Sequence, residues 1–336
     1  MRAILLLLAV PAWAQETTPE RLIETGHWKQ ARSIVDRRLR DTPQDPNLIF
    51  LQSQIRNAFG DRTTPLSLAE KAVALAPGVA RYHRQLAEVQ GVMAQHANAF
   101  QQLLLARRFR KEIDAAIAID PRDLQAQRDL MEFYLLAPGI AGGDVKRAEA
   151  TAQSIAAIDA AGGLSAKARI AAYRKDYSQA EALTQRAAEA EPPSYKRQIA
   201  LAQFYMAPEH LNEAAAEPAT RKALALDASR VDAYAILAAI YAGRGDWSAL
   251  DAILDAGARE VPDDAAPFYR VAERLLARGT DPARAERYLR KYLSQEPEGN
   301  QPIAADANRK LALALEAQHN SNTSNRTSPN KTRNGQ

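Results

Sequence analysis

A glycine and a proline recur along this chain at a fixed interval. Gly26 precedes Pro43 by seventeen positions, and the same interval separates Gly60 from Pro77 and Gly245 from Pro262. The step from Gly26 to Gly60 equals the step from Pro43 to Pro77, at thirty-four positions. A constant period of this length marks a solenoid, in which each unit covers its apolar face only with its neighbours. Between each glycine and proline the apolar residues keep helical spacing. Ala31, Ile34, Val35 and Leu39 form one stripe, and Leu68, Ala69, Ala72, Val73 and Leu75 form the next. Gly26 suits the turn before its helix because glycine reaches positive φ without steric cost. Pro43 and Pro77 suit the stop because proline has no amide to donate to the next turn. The segments from each proline to the next glycine are also helical in pattern, which predicts two helices per unit.

The best unit reads Tyr234, Leu237, Ala238, Tyr241, Gly245, Leu250, Leu254 and Pro262. At that spacing it resembles the tetratricopeptide repeat family, whose pattern is W-x2-L-G-x2-Y, then A-x3-F, then P. Leu250 departs from the small residue of that pattern, although Ala249 adjoins it. The next unit keeps Tyr269, Ala285, Leu289 and Pro297, and the unit ending at Pro121 keeps His83, Leu86, Ala87, Ile113 and Ala116 but runs ten residues long. Degenerate units end near Ala160, Pro192 and Ala228. The resemblance implies an all-α, right-handed α-α superhelix. About eight repeats are expected over residues 15–300, then a capping helix over 301–320 and a disordered polar tail over 321–336.

Export is expected from the start of the chain, residues 1–14. Arg2 precedes an apolar run from Ala3 to Val10, and Ala12-Trp13-Ala14 is a small-x-small exit. This reads as a signal peptide cut before Gln15, giving a periplasmic or secreted protein without stable membrane insertion. With no cysteine in the sequence, disulfides, thiolate metal sites and a lipid-modified N-terminus are excluded. The formal charge of +4 does not point to nucleic acid. Arg2 leaves with the leader, and Arg326, Lys331 and Arg333 lie in the acid-free tail. The repeat body then holds 40 basic and 40 acidic residues, without a broad phosphate-binding field. The run Arg107, Arg108, Phe109, Arg110, Lys111 reads as a solvated helix face in which Arg108 pairs with Glu112. The tail has the composition of a segment with nothing to bury, and its Asn-x-Thr/Ser matches at Asn322, Asn325 and Asn330 read as polar filler.

No catalytic constellation is visible. His27, His83, His96, His210 and His319 share no metal-ligand spacing, and there is no nucleophile elbow. No enzyme, cofactor or metal is expected. Two segments, Phe133 to Asp144 and Phe204 to His210, share Phe-Tyr followed by Ala-Pro, about two repeat units apart. Pro138 and Pro208 should each end a helix, and Asp144 should cap a helix over Val145 to Ile158. Gly142 and Gly143 read as a connector, because the loop lacks the lysine and hydroxyl of a phosphate loop and follows a helix.

The family resemblance implies that stacked first helices line a concave groove. Its positions two, five and nine fall on Arg81, Arg84 and Glu88, then on Gln125, Arg128 and Glu132. Later units give Lys196, Ile199 and Gln203, then Asp232, Ala235 and Ala239, then Arg270 and Arg274 at positions five and nine. Arg84, Arg128 and Arg270 occupy position five, where an arginine can fork onto a carboxylate. The competing reading makes Arg84–Glu88 and Arg128–Glu132 i,i+4 surface pairs. The carboxylate-clamp subgroup carries Asn at position nine. Here Glu88, Glu132, Gln203, Ala239 and Arg274 stand there, which disfavours acidic C-termini as partners. The function expected is an exported scaffold that holds a peptide segment or protein partner in its groove. The alternative is a small-molecule-binding accessory subunit of a transport or envelope system, with its site near residues 138–143.

Overall fold

The structure is a computed structural model that describes residues 18–327; the expected leader and its cleavage site lie outside them. Among the described residues there are seventeen α-helices and no strand. In order they are α1 (Pro19–Thr25), α2 (Trp28–Asp41), α3 (Pro46–Ala58), α4 (Thr64–Leu75), α5 (Ala80–Ala94) and α6 (Ala99–Ile119). The middle of the chain supplies α7 (Leu124–Leu136), α8 (Val145–Ile158), α9 (Ala160–Tyr173), α10 (Tyr177–Glu189), α11 (Tyr195–Met206) and α12 (Glu213–Leu226). The last five are α13 (Val231–Arg244), α14 (Trp247–Glu260), α15 (Ala266–Ala277), α16 (Pro282–Tyr292) and α17 (Ala304–Thr327). Odd and even helices pair into eight successive hairpins, each stacked on the next in a right-handed superhelix, and α17 follows the eighth. The backbone of α17 runs as helix to Thr327, past the expected boundary at residue 320. Residues 328–336 of the expected tail lie outside the described residues.

Local chemistry accounts for the boundaries. Gly26, Gly60 and Gly245 each adopt positive φ, at 97°, 76° and 72°, as the turn before the second helix of a unit requires. Side chains of Asp45, Asp123, Asp144, Asp176, Asp246 and Asp281 accept amides of the first turn that follows each. The repeat-pattern residues form the core: Leu237, Ala238 and Leu250 are fully buried, and Tyr234, Tyr241 and Leu254 are nearly so. Alanines on the facing stripes, among them Ala31, Ala72, Ala116, Ala148, Ala216 and Ala285, are fully buried. They let neighbouring helices approach closely, at the cost of little side-chain entropy.

The two Ala-Pro segments share one geometry. Helices α7 and α11 end at Leu136 and Met206, and each is followed by a single 3-10 turn, Gly139–Ala141 and Pro208–His210. The next helix cap then donates its amide back to the preceding helix. Asp144 N–H reaches the Tyr134 carbonyl at 2.8 Å, and Asn212 N–H the Tyr205 carbonyl at 2.7 Å. In the first loop the amides of Ala141, Gly142 and Gly143 bond within the loop itself, to carbonyls of Pro138 and Gly139. None of these donors is left for an anion. A Cβ on Gly143 would lie 1.8 Å from the Ala137 carbonyl oxygen. Gly143→Ala should therefore lower the urea midpoint, with a cost of about 1–3 kcal/mol from the forced backbone shift. An unchanged midpoint would show that the loop relaxes freely.

Candidate functional site on the inner wall

The first helices of the units, α3, α5, α7, α9, α11, α13 and α15, form the inner wall, and the sequence-derived groove residues divide there into two groups. In the first half of the chain they tie one unit to the next. Arg81 donates to the Asn47 Oδ1 at 3.0 Å and lies over the Phe50 and Tyr82 rings. Arg84 stands 3.8 Å from the Asp123 carboxylate and Arg128 4.0 Å from that of Asp159. Glu132 accepts a hydrogen bond from Arg169 Nη2 of α9 at 2.8 Å, and its other oxygen lies 2.8 Å from the Arg169 Nε in the same ion pair. Gln125 bonds Asp129, one turn on, at 2.9 Å. Among the described residues, neither of the i,i+4 pairs expected within a helix, Arg84–Glu88 and Arg128–Glu132, is formed. The concave curvature brings the next unit's acid within reach of each arginine, and Glu88 instead accepts weakly from Asn57 of the preceding unit, at 3.4 Å. Glu88 reaches solvent, yet protein on the surrounding wall excludes enough water to push its carboxyl above the ordinary range, against the pull of Arg84. Asp129 is raised by the same loss of solvation, which a hydrogen bond from Gln125 partly offsets.

In the second half the groove residues converge. Gln203 from α11, Asp232, Ala235 and Ala239 from α13, and Arg270 and Arg274 from α15 line one cleft of about 350 Å3. Met206, Ile236, Ala266 and Ala277 supply apolar wall. The side chains at its edge are charged and already oriented. Arg270 pairs with Glu273 at 3.0 Å, and Arg274 is bound to Glu213, which also attracts Arg244 and Arg278. Asp232 accepts from the Tyr195 hydroxyl at 3.3 Å, and loss of solvation raises the pKa of that phenol. Two residues of the same set lie elsewhere: Ile199 is buried between helices and Lys196 points to Glu24 at 3.9 Å. The chemistry of the cleft is that of a recognition surface, with an apolar floor, fixed charges of both signs and small residues where a ligand would approach. Among the described residues no group of three His, Asp or Glu side chains could hold a metal ion, and no helix is long and apolar enough to cross a membrane.

Sequence reasoning missed one feature that shapes the wall as a whole. The Lys196–Glu24 contact lies beside a seam where the first hairpin rests on the loops of the last units. His27 Nδ1 meets Asp263 at 3.0 Å, and Gln30 donates to the same carboxylate at 2.8 Å. Lys29 donates its backbone N–H to Glu298 at 2.9 Å and its ammonium to the carbonyls of Asp263 and Glu296. Arg32 forks onto Glu296 at 3.0 and 2.6 Å, and Asn300 N–H bonds the Ala58 carbonyl at 2.8 Å. One superhelical turn thus closes on itself. Glu298 is 2% exposed, and one of its oxygens has no hydrogen bond. Loss of solvation, aided by Asp263 and Asp264, pushes its carboxyl up to about 7 against the pull of Lys29. Loss of solvation also pushes buried Asp264 up to about 6. His27 is raised, chiefly by its hydrogen bond to Asp263. Asp263 loses solvation, but the hydrogen bond and charge of His27, joined by the bond from Gln30, leave its carboxyl lowered. The partners across this seam come from opposite ends of the chain, and no local pattern connects them.

The solved structures that this chain is similar to share its architecture. A tetratricopeptide protein of Thermus thermophilus superposes with a TM-score of 0.50 over 56% of this chain and 96% of its own, at 19% identity. Yeast Tom70 superposes with a TM-score of 0.57 over 90% of this chain, at 13% identity. The fold is a tetratricopeptide-repeat solenoid. The chain spans 60% of the Tom70 chain that it matches. No family model matches the sequence, and no curated protein does. This tetratricopeptide array therefore shares with those structures its helical stacking, and its side-chain chemistry has to be read from its own inner wall.

Proposed function

We propose that this tetratricopeptide array is an exported, non-catalytic binding scaffold, and that the cleft between α11, α13 and α15 holds an extended segment of a protein partner. The observation that supports this reading is convergence. Six residues assigned to groove positions from the sequence, Gln203, Asp232, Ala235, Ala239, Arg270 and Arg274, line one cleft on three successive inner helices. Ala235 and Ala239 leave room on α13 for a side chain to enter, while the arginines and Asp232 can orient a backbone that carries both donors and acceptors. Arg81, Arg84, Glu88, Arg128 and Glu132 serve this reading by fixing the relative positions of the units, and Gln125 by holding Asp129 within α7. Export to the periplasm rests on the leader-like residues 1–14.

The test is affinity capture of the mature chain's partners from an envelope extract, compared with an Ala239→Trp variant. The indole should fill the cleft and remove the captured partner, while circular dichroism and the thermal midpoint stay close to those of the natural chain. An interface-centre position of this kind can change affinity by about 2 kcal/mol or more. The double variant Arg84→Ala/Arg128→Ala should retain capture, because its losses fall on contacts between units. Capture that survives Ala239→Trp but fails in the arginine double variant would move the site to the first half of the wall and overturn the reading.

A further inference from the structure

The unit that runs long in the sequence is the α5–α6 hairpin. Helix α6 has 21 residues, against 12 in α4 and 14 in α8. Its extra turns carry Leu104 and Leu105 alongside the α3–α4 turn, and a cavity of about 390 Å3 opens between the two. Pro65, Val89, Val92, Met93, Leu104 and Leu105 make its apolar wall. Phe100, at the start of the same helix, is 72% exposed, so this end of α6 carries apolar surface that the fold itself does not cover.

The rim is net cationic: Arg62 and Arg108 outnumber Asp61, the one carboxylate that lines the cavity. Asp61 takes the amides of Thr63 and Thr64 at 2.8 and 3.1 Å, and also both of their hydroxyls, at the start of α4. Those bonds hold its carboxyl well below the ordinary range, so it stays ionised, with its charge directed to the start of α4. Glu112, the residue expected to pair with Arg108, instead meets His83 Nδ1 at 2.7 Å. Arg62 and Arg108 therefore line the cavity without an ion pair among the described residues, with exposed His96 beside them. An apolar cleft of this size lies near the lower end of ligand-sized cavities, ~300–1,000 Å3. It has room for one chain rather than a folded surface. Guanidinium groups at its edge match a terminal carboxylate.

We propose that this cavity is a second binding site, separate from the inner-wall cleft, and that it takes a small amphiphilic anion: a single apolar chain along Val89, Val92, Met93 and Leu105, with its carboxylate at Arg62 and Arg108. The sequence run of basic residues then has a defined role at one position, Arg108, while Arg110 pairs with Asp114 at 2.8 Å as an ordinary surface contact.

Isothermal titration of the whole mature chain with decanoate tests the assignment. Decanoate should bind, and octanoate should bind about tenfold more weakly, since two methylenes are withdrawn from the wall. Decanol and decylammonium should bind at least tenfold more weakly than decanoate. Arg62→Ala with Arg108→Ala should reduce decanoate to the level of decanol with helicity unchanged, and Val92→Trp should abolish binding by filling the wall. Equal affinity for decanoate, decanol and decylammonium would mean unspecific adhesion and would overturn the proposal, as would the absence of decanoate binding or full binding by the arginine double variant. Ala239→Trp, which disables the inner-wall cleft, should leave decanoate binding intact, so the two sites succeed or fail separately.

Discussion

At pH 8 a Glu298→Gln variant is expected to be more stable than the natural chain, and at pH 4 the two should be equal. Glu298 is buried in the seam among Lys29, Asp263 and Asp264, and its carboxyl titrates at about 7 instead of 4.5. A folded-state value above the unfolded one means that the folded chain holds the proton more tightly. The resulting stabilisation is complete below pH 4.5 and is lost as pH rises through 7. A shift of that size corresponds to at most about 3 kcal/mol. Glutamine keeps the shape and the acceptor oxygen for the Lys29 amide, and it mimics the protonated acid at every pH. Asp264, raised to about 6 and facing Gln301, Lys29, Asp263 and Asp232, acts in the same direction between pH 4 and 6. His27 does too, because its raised value makes its stabilisation fade as pH climbs past the ordinary histidine range. Asp263 and Glu296 oppose them, and only in acid, where protonation of their lowered carboxyls removes the His27 and Arg32 pairs. Seam stability should therefore fall between pH 5 and 8 in the natural chain and fall much less in the variant. Urea unfolding at pH 4, 5 and 8 reads this directly. Identical pH slopes for the two proteins would show that Glu298 is solvated in solution and that the seam does not close as described.

Gly299→Val should open the same seam by force. A Cβ at residue 299 would sit 2.7 Å from Trp28 Cγ, 2.9 Å from Trp28 Cβ and 3.0 Å from Ala58 Cβ. Those atoms lie next to the backbone of α2 and α3, so no rotamer change can clear them, and the first hairpin has to move as a body. Overpacking of this kind costs about 1–3 kcal/mol. Here the ion pairs His27–Asp263 and Arg32–Glu296 separate as well. The expected result is a lower urea midpoint together with a larger radius of gyration in small-angle scattering, because the superhelical turn is no longer held at its ends. A solenoid whose units touch only their sequence neighbours would show neither change. Unchanged scattering would therefore assign the contacts to a seam that contributes nothing to shape.

Taken together, the two variants separate the charge of the seam from its packing. Opening the seam also bears on the inner wall, since Lys196, one of the groove-position residues, reaches Glu24 of the first helix.

The repeat is legible in the residues alone. The fixed interval between glycine and proline requires a positive-φ turn and a helix stop at each unit, and Gly26, Gly60 and Gly245 adopt that conformation. Because stripe residues such as Ala31, Val35, Leu237 and Leu250 meet partners in their own or the adjacent unit, their periodicity carries the core in local form. Asp144 as the cap of Val145–Ile158, and Ala-Pro as the end of α7 and α11, are readable for the same reason: the interacting atoms are a few residues apart. The convergence of Gln203, Asp232, Ala235, Ala239, Arg270 and Arg274 follows from position within the repeat, once the stacking is known.

Which charges meet depends on how the units stack. Arg84 and Arg128 turn from the glutamates four residues away to aspartates of the next unit, because curvature shortens the distance between units on the concave side. Glu112 meets His83 rather than Arg108, because the antiparallel packing of the α5–α6 hairpin sets it against the first turn of α5. Superhelical pitch sums small rotations over every unit and brings Lys29 to Glu298 and Trp28 to Gly299. No single period encodes such a sum, so the closure of the turn and the perturbed carboxylates within it arise only when all eight hairpins are stacked.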